Sequence, residues 1–194
     1  MTKQIIDLAF PLHGKRIPVD HGFALYGALS RLYPSLHKDE NIGVHLIRGR
    51  YSGNGFLELL PFSRLRLRIP NENISAYLGL AGKSLDLEGD VVHIGTPTIY
   101  PLRPKVALYS HLVTTKNGQD TVRFQEAVRT QLRSVGVQGK FYVGKRRTFK
   151  IHDKQIVGYS MLLTELSAED SLTLQEKGVG GRRKMGCGIF SPVR

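Results

Sequence analysis

The order of strand-like and helix-like segments constrains this chain most, because the same order is read twice. Residues 4–12 read as a strand. Pro18, Val19 and Asp20 mark a helix start, with Asp20 placed to cap free backbone N–H groups. That helix runs to about Tyr33 and stops before Pro34. Leu25, Leu29 and Leu32 fall at i, i+4 and i+7 and predict one buried stripe. Strands are expected over 43–51 and 56–69 about the turn Ser52-Gly53-Asn54-Gly55, then a short helix over 71–80 and a strand over 85–94. The order β-α-β-β-α-β is the ferredoxin-like motif.

The second half repeats it. A strand over 103–116 precedes a helix over 120–135 that ends at Gly136. Residues 139–151 and 155–166 form a hairpin around His152-Asp153-Lys154. Ser167, with Asp170 three residues on, starts a helix that runs to about Lys177. A glycine-rich loop and a strand over 188–193 close the unit. Gly95, Pro97, Pro101 and Pro104 mark 95–104 as a linker. The fold class is α+β, with tandem ferredoxin-like modules at 1–97 and 98–194; one mixed domain with coincidental order is the plainer alternative.

Charge separates the halves. Lys and Arg number 28 against 16 Asp and Glu, a net +12. Residues 1–97 hold 11 against 9, and residues 98–194 hold 17 against 7, so a polyanion-binding surface is expected mainly on the second half. No apolar run approaches the roughly 20 residues of a membrane helix, and Met1-Thr2-Lys3-Gln4 leads into a strand without a signal-peptide pattern. The single cysteine, Cys187, excludes an internal disulfide and a Cys-based zinc site. These features predict a soluble, cytoplasmic protein without a membrane partner.

Four constellations are candidates for chemistry. Gly178-Val179-Gly180-Gly181-Arg182-Arg183-Lys184-Met185-Gly186-Cys187-Gly188 combines glycines, which permit close backbone approach, with three adjacent cations suited to phosphates. It is not a dinucleotide loop: Arg183 stands where G-x-G-x-x-G needs glycine, and the loop follows a helix rather than a strand. A flexible basic loop is the simpler reading. In Ser63-Arg64-Leu65-Arg66-Leu67-Arg68-Ile69, alternation puts Arg64, Arg66 and Arg68 on one face, either solvated or tracking phosphates. Lys145-Arg146-Arg147-Thr148-Phe149-Lys150, flanked by Lys140 and Lys154, makes a basic hairpin suited to structured RNA. There Phe149 or Tyr142 either stacks on a base or belongs to the core. Finally, the histidines His13, His21, His37, His45, His93, His111 and His152 make no H-x₃-H or H-E-x-x-H pair, so no metal or cofactor site is expected. His21 sits at the start of the first helix, whose positive end favours a neutral imidazole able to act as a base. Tyr26 lies about one and a half turns on. A structural helix-end role is the alternative for His21.

The loop Gly-Val-Gly-(five residues)-Gly-Cys-Gly at 178–188 resembles the C-terminal glycine-rich signature of the CRISPR-associated repeat endoribonucleases. The opening Val19-Asp20-His21-Gly22-Phe23-Ala24-Leu25-Tyr26-Gly27-Ala28-Leu29-Ser30 resembles the Myxan-type branch of that family. So do Gly43-Val44-His45, Ser63-Arg64-Leu65-Arg66-Leu67, Leu80-Ala81-Gly82-Lys83 and the stretch from Gly180 to Gly188. The resemblance implies two RRM-related ferredoxin-like modules and metal-free cleavage of precursor CRISPR RNA within its repeat. The 2′-hydroxyl beside the scissile phosphate attacks it, leaving a 2′,3′-cyclic phosphate and a 5′-hydroxyl.

The resemblance also implies a catalytic histidine on or near the first helix. His21 matches that position best, with Tyr26 orienting the 2′-hydroxyl or phosphate, and His37 and His45 compete. The expected RNA contacts are Arg64, Arg66, Arg68, Lys145, Arg146, Arg147, Lys150, Gly178, Gly180, Arg182, Arg183, Lys184, Gly186 and Gly188. The expected partners are repeat RNA, its processed crRNA and the subunits of a CRISPR effector complex, in which the protein stays on its product and turns over slowly. A non-catalytic RNA-hairpin-binding subunit is the alternative. A DNA-binding or metal-dependent nuclease, and a small-molecule enzyme on the same scaffold, remain as rivals.

Overall fold

The computed structural model describes residues 4–193, so residues 1–3 of the N-terminal reading lie outside it. It divides into two compact units after Pro101.

The first unit runs β1 (Ile5–His13), β2 (Arg16–Pro18), α1 (Gly22–Leu32), β3 (Gly43–Val44), β4 (Arg50–Gly53), β5 (Phe56–Glu58), β6 (Arg64–Pro70), α2 (Ile74–Leu78), β7 (Ser84–Leu87), β8 (Asp90–Ile94) and β9 (Thr98–Pro101). The main sheet has the order β3-β6-β1-β8-β7, with β9 also on β1. Its pairings are antiparallel, and β3, β6, β1 and β8 stand in the ferredoxin-like arrangement. Alternation drives the core. Ile6, Leu8 and Phe10 face Ile69, Leu67 and Leu65 directly across the central pair. The same side chains pack with Leu25, Ala28 and Leu29 of α1.

Several expectations fail locally. Leu32 is exposed, and Leu36 and Ile42 supply the next buried contacts instead. Asp20 does not cap α1: His21 holds the cap position, without a side-chain capping bond. The strands expected at 43–51 and 56–69 are each split between two sheets. Their inner ends, β4 and β5, pair with the unforeseen β2 in a separate three-stranded sheet. Pro61 offers no amide hydrogen to the 59–63 break, and a Cβ at Gly49 would lie 2.5 Å from the Glu58 carbonyl oxygen. The strand expected at 85–94 is a hairpin, because Glu88 and Gly89 both adopt positive φ (58° and 94°). The expected linker contains β9, which pairs with β1.

The second unit runs β10 (Leu108–Val113), α3 (Thr121–Ser134), β11 (Lys140–Ile151), β12 (Lys154–Thr164), α4 (Ala168–Lys177) and β13 (Ser191–Pro192). Its sheet order, β11-β12-β10-β13, repeats the ferredoxin-like arrangement. Asp120 caps α3 by accepting from the N–H groups of Val122 and Arg123, and Ser167 caps α4 by accepting from Asp170 N–H.

Two bulges flank β12 at one level. β10 shifts register between Ser110 and Val113, and β11 between Val143 and Arg146. Ser160 Oγ accepts from the Lys145 N–H at 2.9 Å and fills the second bulge. Before that bulge Phe141 and Val143 pack on the core built by Phe124, Val128, Met161 and Leu163. Beyond it Phe149 and Ile151 join a separate cluster with Leu112 and Cys187. Among the described residues no helix is long and apolar enough to cross a membrane.

Two glycine substitutions test this packing. A Cβ at Gly158 would lie 2.3 Å from the Val113 carbonyl oxygen, so Gly158→Ala is expected to destabilise by roughly 1–3 kcal/mol in chemical unfolding. Gly79, at φ −64° with open space around it, is the control: Gly79→Ala is expected to stabilise by about 0.4–1 kcal/mol.

Candidate active site

His21 is buried and hydrogen-bonded through both ring nitrogens. Its side chain is buried, at 1% exposure, and Ile47 N–H donates to Nε2 at 2.9 Å. The ring proton therefore sits on Nδ1, which donates to the carbonyls of Pro18 (2.9 Å) and Val19 (3.1 Å). Burial lowers its pKa, while the bonds to Pro18 and Val19 oppose the shift. The imidazole is neutral, as expected, but both nitrogens are occupied in tying the start of α1 to the segment before β4. In this arrangement neither ring nitrogen of His21 is open to a substrate proton.

Tyr26 and the competitor His37 come together. Tyr26 sits on α1, and Pro34 turns the chain into a short 3₁₀ helix, Pro34–His37, that carries His37 back alongside it. Tyr26 Oη lies 2.6 Å from His37 Nδ1, and the rings meet edge to face at 5.3 Å. His37 is exposed and Tyr26 half-buried, so the pair is open to a large substrate. An imidazole bonded to a phenol at the surface can move a proton and hold an oxygen.

His45, the other competitor, belongs to a largely buried cluster. Its Nε2 lies 3.4 Å from Asp7 Oδ1, and its side chain is 14% exposed. Burial pushes the imidazole down to about 4, with Arg68 and Arg66 adding to the fall and Asp7 only partly opposing it. Burial alone would raise the Asp7 carboxyl. His45 and Arg68 reverse that and hold it below the usual carboxylate range. Alternation puts Arg64, Arg66 and Arg68 on one face, but only Arg64 and Arg66 keep partial exposure there. Arg68 is fully buried, donating from Nε (2.8 Å) and Nη2 (3.0 Å) to the two oxygens of Asp7. Arg66 lies 3.5 Å from Asp7 and over the Tyr100 ring, and Arg64 donates to the Pro61 and Ser63 carbonyls. Asp7 escaped the sequence reading, although a lone acid in an apolar strand signals a buried partner.

In the second unit Lys145, Arg146 and Lys150 are exposed on β11, whereas Arg147 is half-buried. Arg146 donates to Gln119 Oε1 at 3.1 Å. Phe149 is core, and Tyr142 is exposed. The glycine loop is built by backbone contact. A Cβ at Gly178 would lie 2.2 Å from the Gly188 oxygen, one at Gly188 would lie 2.2 Å from the Val179 oxygen, and one at Gly180 would lie 2.5 Å from the Thr114 oxygen. Gly188 N–H donates to the Leu112 carbonyl, and Gly181 N–H to that of Thr114. Gly186 takes φ +84°. Arg182 is exposed, Lys184 is half-buried, and Arg183 donates to the Lys177 carbonyl at 2.8 Å.

Two ferredoxin-like units, an exposed histidine bonded to a half-buried tyrosine, and a cationic second unit place the chain in the class of tandem ferredoxin-like proteins. The profile of one family, described as Cas6 Crispr, matches residues 6–194. The chain is 41% identical over 187 residues to the CRISPR-associated endonuclease Cas6 of Myxococcus xanthus (strain DK1622), covering 96% of this chain and 81% of that protein. Among solved structures, a CRISPR-associated protein Cas6 aligns with a TM-score of 0.70 at 15% identity, covering 98% of this chain and all of the other (100%). A Cas6-related protein from Pyrococcus furiosus aligns at 0.63 and 13% identity, covering 96% and 98%. The chain belongs to the Cas6 family of CRISPR repeat endoribonucleases.

The buried histidines set a pH dependence of stability. Below the unfolded pKa of 6.5, the unfolded chain binds a proton at His45 that the folded chain refuses until about pH 4. Unfolding free energy is therefore expected to fall as pH drops from about 6.5 to about 4, by roughly 3 kcal/mol from His45. His21 adds a loss of the same sign. Urea unfolding across this range checks it, and His45→Gln is expected to flatten the curve.

Proposed function

We propose that this chain cuts precursor CRISPR RNA within its repeat by attack of the substrate's own 2′-hydroxyl, with His37 as general base and Tyr26 as its orienting partner. The observation that carries the assignment is the 2.6 Å bond between Tyr26 Oη and His37 Nδ1, with His37 exposed and Tyr26 half-buried. Placing the proton on Nδ1, donated to Tyr26 Oη, makes Nε2 the basic nitrogen. It takes the 2′-hydroxyl proton as the 2′-oxygen bonds to phosphorus and the bond to the 5′-oxygen breaks. A proton returned to that oxygen leaves a 2′,3′-cyclic phosphate and a 5′-hydroxyl. The nucleophile belongs to the substrate and is held in place, so the reaction needs no metal. Affinity comes from phosphates and RNA shape read by the exposed cations of β11 and the glycine loop, and the protein stays on its product within an effector complex.

The test compares variants with the cognate repeat and EDTA present. His37→Ala is expected to bind the RNA within twofold of wild type and cleave it on the order of 10²–10⁴ more slowly in single turnover. His21→Ala is expected to lower thermal stability. Wild-type cleavage by His37→Ala removes it as base, and no cleavage by the wild-type protein favours the non-catalytic binder. Reversing charge at Lys145 and Arg146 is expected to weaken binding and flatten its salt dependence; an unchanged slope removes the hairpin from the interface.

A further inference from the structure

The catalytic histidine proposed above stands on a segment with little regular structure of its own. Between α1 and β3 the chain has only the single 3₁₀ turn Pro34–His37. Two apolar pegs, Leu36 and Ile42, hold residues 34–42 to the core, each at 1% exposure. Leu36, inside the turn, buries one side of it, while the residues after His37 up to Ile42 have no apolar anchor of their own.

Asp39, two residues after His37, adds a polar tie on that side. Its Oδ1 accepts from the Asn41 N–H at 3.0 Å, and its Oδ2 accepts from the Tyr77 hydroxyl at 2.8 Å. Tyr77 comes from α2, and its side chain is 2% exposed. Its ring packs at 5.3 Å on Tyr33, which ends α1 immediately before the turn. One tyrosine thus touches both flanks of His37: Tyr33 four residues before it and Asp39 two residues after. Burial pushes the Tyr77 hydroxyl well up, and the bond to Asp39 and its charge push the same way. The hydroxyl therefore stays a donor throughout the range in which an imidazole titrates.

We infer that Tyr77 and Asp39 are positioning residues that hold the His37 turn at the hydrogen-bonding distance of Tyr26, and that they act on cleavage only through His37. The inference rests on the assignment of His37 as base. It predicts a loss confined to the chemical step, since a misplacement of about an ångström costs roughly 10²-fold while the RNA-binding surface is untouched.

The experiment uses the full chain and a repeat RNA with a 2′-deoxy nucleotide at the cut, to measure affinity apart from cleavage. Tyr77→Phe keeps the ring on Tyr33 and removes only the donor. It is expected to cleave the normal repeat roughly 10- to 100-fold more slowly at saturating protein, with affinity for the uncleavable RNA within twofold of wild type. Asp39→Asn is expected to give a comparable loss, and the two together no more than either alone. In a His37→Ala background Tyr77→Phe is expected to add nothing. Near wild-type cleavage by Tyr77→Phe overturns the inference. So does a further loss on top of His37→Ala, or a weakening of RNA affinity that matches the loss of rate. If His37→Ala itself cleaves normally, it is the base assignment that fails, and the result is distinct from a slow His37→Ala beside a fast Tyr77→Phe.

Discussion

The Asp7–Arg68 pair at the centre of the first sheet constrains much of the first unit. The two residues are direct partners in the β1–β6 ladder, and both are buried. A slip of one residue would turn the apolar face of β6 away from Ile6, Leu8 and Phe10 and strand a guanidinium in the interior. Leaving one member of such a pair alone costs about 3–5 kcal/mol, so the pair locks the register even where it adds little net stability. With the register locked, His45 follows β3 onto the same carboxylate, and Arg66 is drawn toward it.

The three candidate histidines stand in different surroundings. His45 lies in a charged, largely buried cluster where its imidazole is held neutral. His21 serves the backbone at the start of α1. His37, beyond the end of the same helix, meets a phenol at the surface. The difference is one of burial and partners, since all three belong to the stretch from α1 to just past β3. Local structure thus separates two imidazoles engaged in the interior from one that is exposed at the surface.

Much of the fold was legible because its signals are local. Asp120 and Ser167 cap helices by rules that a few residues suffice to state. The β-α-β-β-α-β order survives uncertain strand ends. The glycines of 178–188 were legible as close-approach positions, and the structure shows the approaching chain to be the protein's own: Gly178 against Gly188, Gly180 against Thr114. What was not legible depends on distant partners. Nothing near His21 announces the Ile47 amide that occupies its ring. The face of Arg64, Arg66 and Arg68 follows from alternation, but Arg68's burial follows from Asp7, 61 residues away. Gly49 and Pro61 stand at the breaks of the strands shared between two sheets at 43–69, but which sheet each piece joins depends on the distant β1 and β2. Tyr26 and His37, 11 residues apart, meet only because Pro34 turns the chain at the end of α1.

The central claim is that the RNA supplies its own nucleophile and the protein supplies the proton transfer. Replacing the one ribose at the cut site by its 2′-deoxy form, with EDTA present, tests this most directly. The account predicts that wild-type protein binds the modified repeat as tightly as the natural one and leaves it whole, while the natural repeat yields a cyclic phosphate end. Cutting of the modified strand at the same bond would contradict it.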